Sequence, residues 1–252
     1  MLQTHLTMKH FVKFLLNKLN FKSDIKNNIL EKLNVAFKYD KKDIILLVNQ
    51  YKDTSFDFLK KLDIFREILS KTRLNQYEID LLYILLLSKK LRKIYKNNGL
   101  SDDLFFSTIE DIKFKVDECI LVKKVVGTFV VSWYRAFFDL TLFSFGRLQY
   151  QVCEFSLNYE DIKANDLSLN IHIPRNGQRL EPKLIDESLE QATNFFKDKF
   201  KKEDLIFRCC SWLLNPCNKT FLNLNSNIVK FSKRFKISVK QGGNSLSKYI
   251  IF

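Results

Sequence analysis

The sequence predicts an α+β protein, with a helical domain over residues 1–140 and a domain built on a mixed sheet over residues 141–252. Hydrophobic residues recur at helical spacing through the first domain and alternate with polar residues in parts of the second. Only 6 glycines and 3 prolines occur among 252 residues, too few for the many tight turns of a sandwich or barrel. The composition, 46% hydrophobic and 28% charged, is that of a globular protein.

The clearest helix of the first domain runs from Asn75 to Lys96. Asn75 is suited to cap this helix, and Glu78, three residues later, completes a capping box. Basic residues crowd the last turns, where they complement the helix dipole, and Gly99 is suited to end the helix. A further helix is predicted to begin at Ser101, because two aspartates follow it in the first turn.

Two strands of the second domain are visible as alternation of apolar and polar residues, over Leu148–Cys153 and Leu167–Ile173. Pro174 ends the second of them. A loop that contains Gly177 then leads to Pro182, which suits the first turn of a helix.

Three more strands are predicted downstream, over Leu205–Leu214, Phe235–Val239 and Ser247–Phe252. Asn225 or Ser226 can cap a short helix between the first and second of these strands. The second domain therefore mixes strands and helices, whereas the first contains helices alone.

The chain carries a formal net charge of +14, from 42 basic and 28 acidic residues. Such an excess can attract nucleic acid, an anionic membrane or a phosphorylated ligand. The lysines are scattered, however, and no RRM, zinc-finger or glycine-rich RNA-binding pattern occurs. We therefore expect neither nucleic acid nor a membrane as the partner, while duplex binding by the basic helical half is kept as a third hypothesis. The oligomeric state stays open.

The 5 cysteines form no CxxC motif, and no export signal is visible, since Lys9, His10 and Lys13 interrupt the first apolar stretch. We expect a cytoplasmic protein with reduced thiols. The longest apolar run, Leu81–Leu87, is too short to span a bilayer. His5 and His10 do not share a helix face, and HExxH, P-loop and Rossmann motifs do not occur, so we predict no metal site.

Four segments in a fixed order carry a family resemblance. They are FSFGRLQYQ at residues 143–151, LNIHIP at 169–174, CCSWLLNP at 209–216 and SNIVKFSKRF at 226–235. Together they resemble the GNAT-like (N-acetyltransferase-type) C-terminal domain of an N-acyltransferase family, and residues 99–114 are similar to the helical N-terminal domain of that family. The resemblance implies an acyltransferase that uses acyl-CoA or acetyl-CoA as co-substrate and a small-molecule amine as acceptor.

Three observations favour an alternative. The family's strand usually reads Cys-His-Ser-Trp, whereas Cys210 occupies the second position here. The family also continues beyond the position of Phe252, so we expect a C-terminal domain that lacks a last strand and helix. The usual GNAT phosphate loop, Gln/Arg-x-x-Gly-x-Gly/Ala, is not found. The alternative is a non-catalytic binding or regulatory protein on a degenerate GNAT-like scaffold.

The loop between the strand at Leu169 and the helix at Pro182 is the nearest equivalent of a phosphate site. Arg175, Gly177 and Arg179 lie in this loop, where exposed N–H groups and two guanidiniums suit a pyrophosphate. An ordinary solvated loop is the other interpretation of the same residues.

His172 is the candidate catalytic base, since neutral imidazole accepts a proton near pH 7 and this is the only histidine beyond residue 10. A structural histidine is the alternative. Arg147 and Gln149 are candidates to orient the acyl group or an acceptor carboxylate, or to form a buried polar network. Cys210 and Ser211 complete the predicted substrate site, although no Cys–His or Ser–His–Asp signature supports a nucleophile.

Overall fold

The computed structural model describes residues 2–52, 56–155, 158 and 160–236. The chain divides into two compact units, Met1–Phe143 and Ser144–Phe252. The first is helical and the second contains most of a four-stranded mixed sheet, so the predicted α+β class is confirmed.

Before strand β1 (Leu142–Phe145), the described part of the first unit consists of helices and their connections. They are α1 (Leu2–Lys18), α2 (Ser23–Gln50), α3 (Phe58–Leu69), α4 (Gln76–Asn97), α5 (Asp102–Ile109), α6 (Asp111–Lys123), a 3₁₀ helix (Val131–Tyr134) and α7 (Arg135–Phe138). The helix predicted from Ser101 is thus two helices, which meet at Glu110.

Helix α4 is the centre of the first unit, because α1, α2, α3 and α5 all contact it. The Asn75 side chain accepts from the Glu78 amide at 3.1 Å, and the Glu78 carboxylate accepts from the Asn75 amide at 2.9 Å. The predicted capping box is therefore present. Gly99 follows the helix with φ +70°, a left-handed conformation that costs glycine little.

The second unit contains β2 (Leu148–Glu154), β3 (Leu167–His172), α8 (Pro182–Phe200), β4 (Ile206–Cys209), a 3₁₀ helix (Trp212–Leu214), α9 (Asn218–Phe221) and α10 (Asn227–Ser232). Strand β1 (Leu142–Phe145) spans the division between the units, and the sheet order is β1-β2-β3-β4. Strand β2 pairs antiparallel with β3, and β3 pairs parallel with β4. Helix α8 makes the crossover between the two parallel strands.

The strand predicted over Leu205–Leu214 is wrong in its second half. Strand β4 ends at Cys209, and the chain turns into the 3₁₀ helix Trp212–Leu214. The Ser211 hydroxyl accepts from the Leu213 amide at 3.2 Å, so a local cap replaces the ladder of a longer strand.

The two other downstream strands cannot be compared in full. Phe235 and Lys236 lie outside any strand, and the rest of the strand predicted over Phe235–Val239 lies outside the described residues. The strand predicted over Ser247–Phe252 also lies outside them. The short helix between them and β4 is α10, and Ser226 caps it by accepting from the Val229 amide at 3.3 Å.

Helix α8 packs on one face of the sheet through aromatic and small side chains. Phe196 is fully buried there, 6.1 Å from the ring of Phe145 and 6.5 Å from that of Tyr150. Ser188, also fully buried, accepts from the Leu148 amide at 3.3 Å and bonds to the Tyr150 hydroxyl at 2.9 Å. These contacts hold α8 against the start of β2.

Candidate functional site

The sheet of the second unit has one face that is polar. The register pairs Gln149 with His172, Gln151 with Asn170, Cys153 with Ser168, and Asn170 with Arg208. Side chains of paired residues point to the same side of a sheet, and alternate residues of a strand share a face. The polar face therefore consists of Gln149, Gln151, Cys153, Ser168, Asn170, His172 and Arg208.

His172 is held in this face by two amide side chains. Its Nε2 lies 3.0 Å from Gln151 Oε1 and 3.0 Å from Asn170 Nδ2. A neutral imidazole nitrogen either donates or accepts, so Nε2 donates to Gln151 Oε1 in one tautomer and accepts from Asn170 Nδ2 in the other. Burial, together with the positive charge of Arg208, lowers the pKa of His172 to about 4. The ring is therefore neutral at neutral pH and is a weak base.

Arg208 is a residue of this face that the sequence interpretation did not include. Its Nη2 donates to Cys153 Sγ at 3.0 Å, and its guanidinium carbon lies 5.9 Å from the ring centre of Phe155. Its Nε is buried and has no hydrogen-bond partner among the described residues. Alternation within β4 could have indicated it, since Arg208 stands between Phe207 and Cys209.

The crossover loop, residues 173–181, connects β3 to α8. Arg175, Gly177 and Arg179 are all exposed in it, as the phosphate-site prediction requires. Gly177 has φ +77°, and an added Cβ would meet nothing within 4 Å. Glycine is therefore favoured at this position by backbone conformation and not by lack of space.

Arg147 supports the crossover loop from within the protein. It is only 6% exposed, and it donates to the carbonyl oxygen of Pro174 at 3.0 Å and to that of Arg179 at 3.4 Å. Burial lowers the pKa of its guanidinium. Of the two interpretations that the sequence left open, the structure favours the buried polar network, which joins both ends of the loop.

The N-terminus of α8 follows the crossover loop directly. Pro182 occupies the first turn, as predicted, and the N-cap residue Glu181 makes no side-chain cap. The first turn contains no acidic residue. Amides at a helix N-terminus that no side chain caps are suited to an anion, since the helix dipole also favours negative charge there.

The remaining predicted residues lie at different places. Gln149 is 3% exposed and pairs with His172 across β2 and β3. Cys210 is exposed and follows the last registered pair, Ile171 with Cys209, so it lies at the open end of β4. The hydroxyl of Ser211 caps the 3₁₀ helix Trp212–Leu214 by accepting from the Leu213 amide. The structure thus brings Gln149 and His172 together and places Cys210 and Ser211 where β4 ends.

Within the described ranges, no cluster of three or more His, Cys, Asp or Glu side chains could hold a metal ion. Across the same ranges, no helix has both the length and the apolar character to cross a membrane.

Comparison with known proteins gives the class of this fold. Residues 142–252 match the family described as GNAT-like C-terminal domain. Similar solved structures are an acyltransferase in complex with decanoyl-CoA and teicoplanin (18% identity, TM-score 0.72, 95% of this chain and 75% of that chain) and a mutant acyltransferase in complex with octanoyl-CoA (18%, 0.70, 92% and 71%). A third is an acyltransferase with CoA and 10C-teicoplanin (18%, 0.68, 92% and 71%). No curated protein matches the sequence.

Residues 142–252 are thus similar to GNAT-like C-terminal domains, and the chain shares the fold of the solved acyltransferases. The resemblance indicated by the four sequence segments is confirmed.

Proposed function

We propose that this protein is an acyl-CoA-dependent N-acyltransferase that transfers the acyl group to a small-molecule amine. The observation that carries the proposal is the unit β3–crossover loop–α8–β4. In this unit, a loop with two exposed arginines leads into the N-terminus of α8, which has no side-chain cap. The two strands that flank this crossover, β3 and β4, both contribute residues to the polar face. The similar acyltransferases bound to acyl-CoA and to teicoplanin support the same donor and an amine acceptor.

The donor phosphates are proposed to bind the crossover loop. Arg175 and Arg179 supply charge, the exposed Gly177 lets the phosphates approach the backbone, and the N-terminus of α8 offers amides without a side-chain cap. Arg147 positions the loop through the carbonyls of Pro174 and Arg179. This arrangement replaces the glycine-rich phosphate loop that the sequence lacks.

Acyl transfer then needs a deprotonated amine next to the thioester. The amine nitrogen attacks the thioester carbonyl carbon, the carbon–sulfur bond breaks, and the nitrogen loses a proton as the CoA thiolate gains one. His172 is the proposed acceptor of the amine proton. Its neutral form is available throughout the neutral range, because its pKa is lowered to about 4, and attack makes the amine proton more acidic.

Binding of CoA tests the donor half of the proposal. Isothermal titration of the whole chain with CoA and octanoyl-CoA should give a dissociation constant that Arg179→Gln weakens about tenfold, the effect of one charge-assisted hydrogen bond. Arg73→Gln is the matched control, since Arg73 is 70% exposed on the helical unit and pairs with Glu31. Absence of binding at millimolar CoA, or equal weakening by both variants, would overturn the proposal.

The second candidate function is a non-catalytic binding protein on the same scaffold. Cys210 favours it, because this exposed position follows β4 where the resembling family tends to have histidine. Cys210→His tests the two against each other. The acyltransferase proposal expects wild-type turnover that the variant keeps or raises, whereas the binding protein shows CoA binding without turnover in the wild type.

A further inference from the structure

The guanidinium of Arg208 has a positive charge with no acidic partner in the described part of the chain. Its contacts are the Cys153 thiol and the Phe155 ring, and its Nε is buried without an acceptor. Desolvating a charge without a counter-ion is unfavourable, so a buried guanidinium nitrogen without an acceptor is a candidate binding point for an anionic group of a ligand.

Arginines of similar burial elsewhere in the chain are paired. Arg66, whose side chain is 28% exposed, donates from Nε and Nη2 to the two carboxylate oxygens of Asp80, each at 2.8 Å. Arg92, 32% exposed, grips Asp102 in the same way at 2.9 and 2.6 Å. Arg208 is also half-buried, yet its Nη2 contacts a thiol and its Nε has no hydrogen-bond partner among the described residues.

No residue of the second unit outside the described ranges can supply the missing side-chain carboxylate. Positions 156, 157, 159 and 237–252 contain no Asp or Glu. Arg147 differs from Arg208, because two backbone carbonyls accept from its guanidinium. Arg208 is thus the partly buried arginine of this unit whose described contacts include neither a carboxylate nor a carbonyl.

The position of Arg208 on the sheet connects its charge to the proposed chemistry. Arg208 pairs with Asn170, and Asn170 contacts the Nε2 of His172. Two residues along a strand and one strand across separate the backbones of Arg208 and His172 by roughly 8 Å. Both side chains belong to the polar face, so one small acceptor can reach both.

We propose that Arg208 binds a carboxylate of the acyl acceptor, so that the preferred acceptors are small amines that carry a carboxylate, as amino acids do. The inference rests on the proposed N-acyltransferase function and adds the acceptor class to it. Arg208 fixes the carboxylate by charge-assisted hydrogen bonds, and the amine of the same molecule is thereby directed towards His172.

The test uses acceptors in matched pairs. Glycine, β-alanine and 4-aminobutyrate are each assayed beside their carboxamides, with octanoyl-CoA and acetyl-CoA as donors and glucosamine as a neutral amine. For at least one of the three carboxylate-bearing amines, the wild type should acylate the amine with a kcat/KM about tenfold above that for the matching carboxamide. Arg208→Gln should bring this ratio down about tenfold and leave the dissociation constant of CoA unchanged. Comparing the ratio between proteins cancels the different basicities of the amines.

Two further variants separate the carboxylate role from other roles. Arg208→Lys keeps the charge and should retain part of the preference. Cys153→Ser should retain all of it, whereas equal losses in Cys153→Ser and Arg208→Gln would show that Arg208 only pairs with the thiol. A lower CoA affinity in Arg208→Gln would assign the residue to the donor instead.

The outcomes also separate this inference from the proposed function. Acylation of glucosamine or the amides without preference for a carboxylate in the wild type overturns the inference alone, and needs no variant that might misfold. If none of the three carboxylate-bearing amines is acylated, the inference is wrong. CoA titration then shows whether the proposed donor site survives.

Discussion

Two arginines of the helical unit and two of the GNAT-like unit differ in what their guanidiniums bind. In the helical unit, Arg66 and Arg92 each bind both oxygens of an aspartate. In the GNAT-like unit, Arg147 binds carbonyls and Arg208 binds a thiol, and neither pairs with a described carboxylate. Carboxylates therefore neutralise Arg66 and Arg92 in the first unit and Arg234, which pairs with Asp186, in the second, whereas Arg147 and Arg208 have no carboxylate among their described contacts.

The largest expected effect comes from removing the arginine of the Arg66–Asp80 ion pair. Arg66→Met leaves Asp80, 2% exposed, without its guanidinium, and we expect the free energy of unfolding to fall by about 3 kcal/mol. Burial raises the pKa of Asp80 although Arg66 lowers it. The expected loss of stability therefore comes more from leaving a buried carboxylate without a partner than from losing a strong ion pair. Urea unfolding followed by circular dichroism measures it.

The control for that variant is Asp63→Ala. Asp63 also contacts Arg66, at 3.2 Å, but its side chain is 74% exposed, so its removal should cost less than about 1 kcal/mol. Equal losses in the two variants would show that burial does not distinguish the two contacts.

The second effect concerns the neutral histidine of the polar face. In the unfolded chain His172 takes up a proton below its ordinary pKa of 6.5, whereas in the folded chain it does so only near 4. Stability therefore falls as the pH falls from 7 to 5, by about 2 kcal/mol from this residue. The measurement is urea unfolding at both pH values in the wild type and in His172→Gln. An equal loss in both proteins would contradict the lowered pKa.

The third effect is on the donor. Arg147→Gln removes the charge that joins Pro174 and Arg179, and we expect CoA affinity to fall about tenfold as the loop loses its position. Ser188→Ala is the control, because Ser188 contacts the start of β2 and not the loop. Titration calorimetry should find CoA affinity within about twofold of the wild type in this variant. A similar loss in both would assign the effect to packing of α8.

The smallest effect is expected from the same substitution at Arg208, which has no carboxylate among its described contacts. Arg208→Met, the same substitution as at Arg66, should change the free energy of unfolding by less than about 0.5 kcal/mol or raise it, because no carboxylate is abandoned. The check is urea unfolding beside Arg66→Met. A loss as large as that at Arg66 would make Arg208 a structural residue.

Features set by neighbouring residues were predictable from the sequence. The capping box of Asn75 and Glu78, the position of Pro182 in α8, and strands β2 and β3 follow from local spacing and alternation. The early end of β4 was not predicted, because the hydroxyl of Ser211 turns the chain against the pattern of apolar residues.

The candidate site was only partly predictable, because its contacts join distant parts of the chain. Arg147 meets carbonyls 27 and 32 residues away, so the sequence could name the residue but not choose between its two roles. Arg208 was missed because its proposed role is inferred from two structural observations. One is its register with Asn170, and the other is the lack of a carboxylate among its described contacts. The roles of His172 and of the crossover loop stay predictions that the experiments above test.

The most direct test of acyl transfer is release of CoA thiol from octanoyl-CoA, followed continuously, with the amide product identified by mass. We predict release that depends on added amine, and a kcat at least about tenfold lower in His172→Gln with an unchanged dissociation constant for CoA. Thiol release that no amine increases, in a protein that binds CoA, would contradict the account and favour the non-catalytic scaffold.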